Sequence, residues 1–219
     1  MEKIRLNKYL AEIGVGSRRG VDRLIQDARV KVNGSLAELG TKVDPGKDTV
    51  LVDEKRVGLI ENKVYYILNK PRGYIATSSD PHDRKKVTDL VPKSPRVYPV
   101  GRLDHDTSGL LILTNDGDLS YRLTHPKFEK EKEYAVVAKA TTKYPIGGSL
   151  RDRFLEGIKL SEGIARVDKI DSLNQKDDIV TFNAVVHQGW NRQIRRMCEA
   201  VGLEVLELKR VRMGKLRLG

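Results

Sequence analysis

One cysteine in 219 residues excludes an intramolecular disulfide framework and a zinc site built from cysteines. Four scattered histidines supply no His-built metal site either. No apolar run approaches the roughly 20 residues that span a bilayer. The opening Met1-Glu2-Lys3-Ile4-Arg5 carries charge where a secretory signal needs an apolar core. Internal repeats and low-complexity tracts are missing as well. These absences predict a cytoplasmic globular protein with no membrane partner and no metal. Acidic residues are also short in supply: 30 Asp+Glu stand against 41 Lys+Arg, a net charge of +11. That surplus predicts a polyanionic partner, against the plainer alternative of charge kept for solubility. Apolar residues make up 39%, enough for a core, and the length allows one large domain or two small ones.

The first stretch predicts two short helices and a hairpin. Leu6, Leu10 and Ile13 fall on one helical face, which Gly14 and Gly16 interrupt. Ser17 stands at an N-cap position, and Val21, Leu24, Ile25 and Ala28 form a second stripe. Asn33-Gly34 and Asp44-Pro45-Gly46 are turn signals between short apolar runs. This unit ends near Val57, with a polar linker over 58–63, giving predicted domains at 1–60 and 61–219. The remainder is strand-rich, with strands predicted at 64–68, 110–113, 134–137, 179–186 and 205–208. Helices are predicted at 119–125 and 191–201. In the second, Ile194, Met197, Cys198 and Val201 share a face, so Cys198 is a core residue and not a nucleophile. Residues 159–178 carry mixed charge and suggest a surface hairpin or loop.

Three clusters suit chemistry or RNA contact. In Gly101-Arg102-Leu103-Asp104-His105-Asp106-Thr107-Ser108-Gly109-Leu110-Leu111 two carboxylates precede a buried strand, a usual place for a catalytic group. The competing explanation is a local turn, with either aspartate bonding nearby backbone N–H groups. On the helix from Asn191, Arg192, Arg195 and Arg196 share a face that suits phosphate or an inward carboxylate. Lys70-Pro71-Arg72-Gly73-Tyr74 presents a basic loop with an aromatic, as single-stranded RNA recognition needs. Positive charge is concentrated in three stretches: Lys3 to Lys31 and Lys70 to Arg102 each hold eight basic and three acidic residues, as does His187 to Gly219. The span from Arg151 to Phe182 is near balance, with six basic and seven acidic.

Together these segments resemble the RNA pseudouridine synthases, in the branch with RsuA, RluB, RluE and RluF. Gly101 to Asp104 with Thr107 to Leu111 resembles the catalytic motif, Lys132-Glu133-Tyr134 the second motif, and Asn191 to Arg196 the third. Ile4 to Leu10, Gly16 to Arg19 and Val32 to Gly34 are similar to the RNA-binding domain first described in ribosomal protein S-four. Within the branch, Gln188-Gly189 and the run through Cys198 look most like RluF. Trp190 is a departure, since many relatives carry a basic residue there. The resemblance implies an α+β fold: a small helix-helix-hairpin RNA-binding domain, then a mixed, mainly antiparallel catalytic sheet flanked by helices. It implies isomerisation of uridine to pseudouridine without cofactor, in rRNA with the large subunit favoured over small-subunit rRNA or tRNA.

The resemblance assigns the acting carboxylate to Asp104, with Asp106 as runner-up. Asp104 either attacks C1′ or takes the C2′ proton; both routes stay open. Tyr134 is implied to stack on the uracil and serve proton loss from C5, and Arg195 to be the salt-bridge partner of Asp104. RNA contacts are expected from Arg5, Lys8, Arg18, Arg19, Arg23, Lys31, Lys70, Arg72, Arg102, Asn191, Arg192 and Arg196. Arg102 is also expected to fill the space left by a flipped base. A monomer without obligate protein partner is expected. The competing functions are a non-catalytic ribosome-assembly factor and a glycoside or nucleoside hydrolase using Asp104 with Asp106.

Overall fold

The computed structural model describes residues 3–58, 62–141 and 147–219. It divides into two compact units, one of Met1–Val64 with Lys93–Arg96 and Asn115–Gly117, the other of the remainder. The linker predicted over 58–63 lies partly outside the described residues.

The first unit contains β1 (Ile4–Arg5), α1 (Leu6–Glu12), α2 (Arg18–Gln26), β2 (Val30–Val32), β3 (Ser35–Leu36), β4 (Lys42–Val43), β5 (Val50–Val52) and β6 (Lys55–Arg56). Ser17 caps α2 as predicted, its hydroxyl accepting from the Gly20 N–H at 3.0 Å. Asn33 and Gly34 both adopt positive φ, 51° and 86°, the geometry that tightens a two-residue hairpin between β2 and β3. Leu6, Leu10, Ile13, Val21 and Ile25 bury against Val30, Val43 and Val50. Ala28 departs from the predicted stripe. It lies past the end of α2 in a left-handed conformation and is exposed.

The second unit contains β7 (Tyr65–Lys70), β8 (Tyr98–Pro99), β9 (Ser108–Thr114), α3 (Gly117–Thr124), β10 (Lys132–Ala140), α4 (Gly147–Glu156), β11 (Ile158–Leu160), β12 (Gly163–Ala165), β13 (Lys169–Lys176), β14 (Ile179–Val186), α5 (Gln193–Ala200), β15 (Leu203–Met213) and β16 (Leu216–Arg217). Its main sheet has the order β13-β14-β10-β15-β9-β7. The pairs along it are antiparallel except β15 with β9, which run parallel. The predicted mixed, mainly antiparallel sheet is therefore present. Ile194, Met197 and Cys198 of α5 join Val136, Phe182 and Leu208 in one core. Burial pushes the Cys198 thiol up to about 12, consistent with a packing residue.

Residues 159–178 hold more structure than the predicted hairpin or loop. They include the β11–β12 hairpin and then β13, an edge strand that buries Ile170. β13 pairs with β14 through a register shift between Asp171 and Asn174, where Ser172 takes φ 55°. Such a bulge breaks the two-residue alternation by which a strand is recognised. Among the described residues no helix is long and apolar enough to cross a membrane.

Candidate active site

The loop 101–107 joins β8 to β9, and β7 holds it from beneath. Lys70, the last residue of β7, is fully buried. Its ammonium donates to the carbonyls of Thr107 at 2.8 Å, Asp104 at 3.0 Å and Pro71 at 3.1 Å. Burial pushes this ammonium down to about 8, while Asp104 and Asp106 oppose the shift. The Gly73 N–H adds a bond to the His105 carbonyl at 2.9 Å. Arg72 donates to the Asp106 carbonyl at 3.1 Å and to the Leu206 carbonyl. At the far end of the loop, Gly109 has φ 106°, and a Cβ there would overlap the Arg210 backbone. Glycine is required because β9 and β15 approach closely at this point.

Helix α5 supplies the opposing charges. Arg192, in a left-handed conformation just before the helix, pairs with Asp106 at 3.1 Å and approaches Asp104 at 3.8 Å. Arg195 pairs with Asp106 at 3.2 Å. It also donates to the carbonyls of Val205 at 3.2 Å and Asp106 at 3.1 Å. Desolvation works against the Asp106 charge, but the hydrogen bond from Arg192 and the charges of Arg195 and Arg192 hold its carboxyl below the usual range. The expected salt bridge from Arg195 to Asp104 is thus replaced by one to Asp106. Val205 and the loop carbonyl fix the guanidinium beside Asp106, and Arg192, not Arg195, faces Asp104.

A cleft of about 280 Å³ opens beside the loop. Asp104, Tyr134, Arg192 and Trp190 line it, and Asp104 is the one carboxylate among the described residues of its lining. Asp104 closes a backbone turn, its carbonyl accepting from the Thr107 N–H at 3.1 Å, while the residue lines the cleft. Asp106 lies outside the lining and is held by two guanidinium groups. A carboxylate held ionised in this way is a poor general acid, which removes the acid pair that a hydrolase would need. Among the described residues no three His, Cys, Asp or Glu side chains form a metal-binding group.

The remaining predicted residues fall into three sets. Arg102 and Asn191 are exposed and line the cleft with Arg192. Lys70 is corrected: its burial and its carbonyl bonds remove it from RNA contact. Arg196 is corrected too, because its guanidinium turns to Glu162 at 2.7 Å on the β11–β12 turn and it does not line the cleft. Arg72 stays exposed, with its donors engaged by backbone carbonyls. In the first unit Arg5, Arg18, Arg19 and Arg23 are exposed, while Lys8 and Lys31 are half-buried and pair with Glu12 and Glu54. Two charged lining residues escaped the sequence analysis as site residues: Lys132, noted only within its motif, and Arg210. An arginine at an inward position of β15, between buried Leu208 and Met213, was the available signal for the latter.

Comparison with known proteins agrees with this geometry. The family model described as RNA pseudouridylate synthase matches residues 64–200, and the S4 domain model matches residues 4–50. The chain is 44% identical over 218 residues to "Ribosomal large subunit pseudouridine synthase B" of Bacillus subtilis (strain 168), covering 98% of this chain and 87% of the relative. It is 39% identical over 222 residues to "Uncharacterized RNA pseudouridine synthase" of Aquifex aeolicus (strain VF5), covering 100% of this chain and 87% of the relative. A solved structure titled "Crystal structure of pseudouridylate synthase" superposes with a TM-score of 0.64 at 29% identity, covering 99% of this chain and 91% of that one. The Bacillus relative carries the name of synthase B, and the finer likeness to RluF is not confirmed. With an S4 domain followed by a matched catalytic domain, the chain belongs to the RNA pseudouridylate synthase family.

Proposed function

We propose that this enzyme isomerises uridine in large-subunit ribosomal RNA to pseudouridine, with Asp104 as the acting carboxylate. The observation that carries the assignment is that Asp104 faces a cleft shared with Tyr134 and Arg192, while its neighbour Asp106 is held by two arginines. The large-subunit target is favoured by the name of the Bacillus relative.

The reaction exchanges one glycosidic bond for another: N1–C1′ breaks, the uracil turns over, and C5–C1′ forms. An ionised carboxylate next to the sugar serves either a nucleophilic or a proton-abstracting route. Arg192, at 3.8 Å, faces the Asp104 carboxylate and leaves its oxygens free of a tight pair. Tyr134 offers a ring for the uracil to stack on and a phenol near C5, where a proton must leave after recoupling. The Arg195–Asp106 pair orients the loop, so Arg195 acts as a positioning residue.

Removing the base from its stack costs a few kcal/mol, least in loops and bulges. The exposed Arg102, Asn191 and Arg192 at the cleft mouth and the arginines of the first unit supply the phosphate contacts that offset it. Residues 1–60 are the RNA-binding part in this proposal. The test is Asp104→Asn, assayed by tritium release from RNA labelled at uridine C5. Release should vanish while RNA affinity stays within about twofold of wild type, because one carboxylate adds little to phosphate binding. Release by the Asn variant would refute the assignment.

A further inference from the structure

The cleft side of the β10–β15 pair carries two cations that form no ion pair among the described residues. Lys132 and Tyr134 alternate along β10 and both line the cleft, as do Leu208 and Arg210 on β15. Arg210 stands opposite Tyr134 in the register. It is 2% exposed. Its Nε donates to the Leu110 carbonyl at 2.8 Å, and its Nη2 is buried with no hydrogen-bond partner. Lys132 donates to the carbonyls of His187 at 3.0 Å and Gln188 at 3.3 Å. Burial, and then the charge of Arg210, push the Lys132 ammonium below its ordinary value against the weaker opposing charge of Asp168, so the two cations sense each other.

The other side of the same strands is handled differently. Glu133 pairs with Arg212 at 2.7 Å and Arg217 at 3.5 Å, and Glu131 pairs with Arg212 at 3.0 Å. Among the described residues neither Lys132 nor Arg210 forms an ion pair. A buried cation without a counter-charge is costly, and two close together are costlier. A ligand that brings negative charge into the cleft offsets that cost.

We propose that Arg210 and Lys132 hold the carbonyl edge of the target uracil and stabilise the uracil anion formed when its bond to C1′ breaks. This deepens the assignment of the cleft to uridine isomerisation and rests on it. As N1–C1′ breaks, the bonding pair stays on N1, and the negative charge spreads over O2 and O4. When C5 bonds to C1′, the ring supplies that electron pair; the C5 proton then leaves to a base and N1 takes up a proton, which restores the neutral ring. No external reactant enters. Preorganised cations gain most where charge develops during reaction, and they do so best away from water. A backbone phosphate fits the site less well. It carries its full charge throughout and suits the exposed arginines at the mouth, whereas Arg210 is almost wholly buried.

Lys132→Gln in the full chain separates the possibilities, because glutamine removes the charge while keeping an N–H donor on the side of the His187 and Gln188 carbonyls. The rate probe is total RNA labelled with [5-³H]uridine, from a strain lacking this gene, under single-turnover conditions. The binding probe is a large-subunit rRNA transcript across a salt series. The rate at saturating enzyme should fall about 10²-fold. The salt slope of affinity should stay as in wild type, and Lys132→Arg should recover most of the rate. A wild-type rate overturns the proposal, as does failure of Lys132→Arg to rescue. A slope reduced by roughly 0.7–0.9 assigns the cation to a phosphate and overturns it equally. Arg210→Met is expected to behave like Lys132→Gln; if its melting curve shows that it does not fold, the Lys132 variants decide alone. Asp104→Asn runs in parallel. Release by that variant refutes the cleft assignment itself, whereas its silence beside a wild-type Lys132→Gln refutes only the role of the cations.

Discussion

Lys70 gives its protons to backbone carbonyls of the loop that carries Asp104. Lys70→Met should therefore lower both melting temperature and turnover, by about 2–3 kcal/mol in stability for the carbonyls left unpaired. Its titration adds a signature. The folded value of about 8 lies below the unfolded value near 10.4, so the unfolded chain holds more protons between them. Wild type should gain stability relative to Lys70→Met as pH climbs through that window, measurable by denaturant titration at several pH values. Asp106 behaves in the opposite sense. Its folded carboxyl lies below the unfolded one, so its contribution is present above pH about 4 and lost as pH falls through the folded value. Asp106→Asn should flatten that acid limb. At this scale the motifs singled out Asp104 and Tyr134, and both line one cleft. Which way Lys70, Arg195 and Arg196 point was not, because a long cationic side chain reaches solvent, carbonyl or carboxylate with equal ease.

Short elements meet their sequence signals unevenly. The cap at Ser17 was visible because a hydroxyl before an apolar stripe has one local use; Ser17→Ala should cost about 1 kcal/mol, read as a lower melting temperature. The bulged strand β13 was not visible, since its alternation fails where the register shifts. Helix α5 was placed two residues early at its start because Asn191 and Arg192 continue the helical pattern in sequence, while Arg192 adopts φ 49° and turns to the aspartates. Gly109 sat in a motif whose chemistry did not require it. The parallel approach of β9 to β15 does, and Gly109→Ala should cost about 2–4 kcal/mol with loss of activity, checked by denaturant unfolding and tritium release.

At the scale of the whole molecule, the net charge of +11 is unevenly distributed along the chain, and this was readable by counting. The exposed arginines at the start of α2 should contribute to the salt dependence of RNA binding. Replacing Arg18, Arg19 and Arg23 together by Gln should lower the salt slope by about 0.7–0.9 for each phosphate left without its arginine, with turnover at saturation unchanged. The order of the two domains was legible because each carries its own motif. The buried lone cysteine has a further use. Thiol reagents attack the thiolate, and Cys198 is enclosed, with its thiol pushed up to about 12. Labelling in the native protein must wait for α5 to open, and α5 bears Arg195 and follows directly on Arg192. A dye that reacts with thiols therefore times the opening of the helix that holds Asp106, and a bound RNA that stabilises the site should slow that clock.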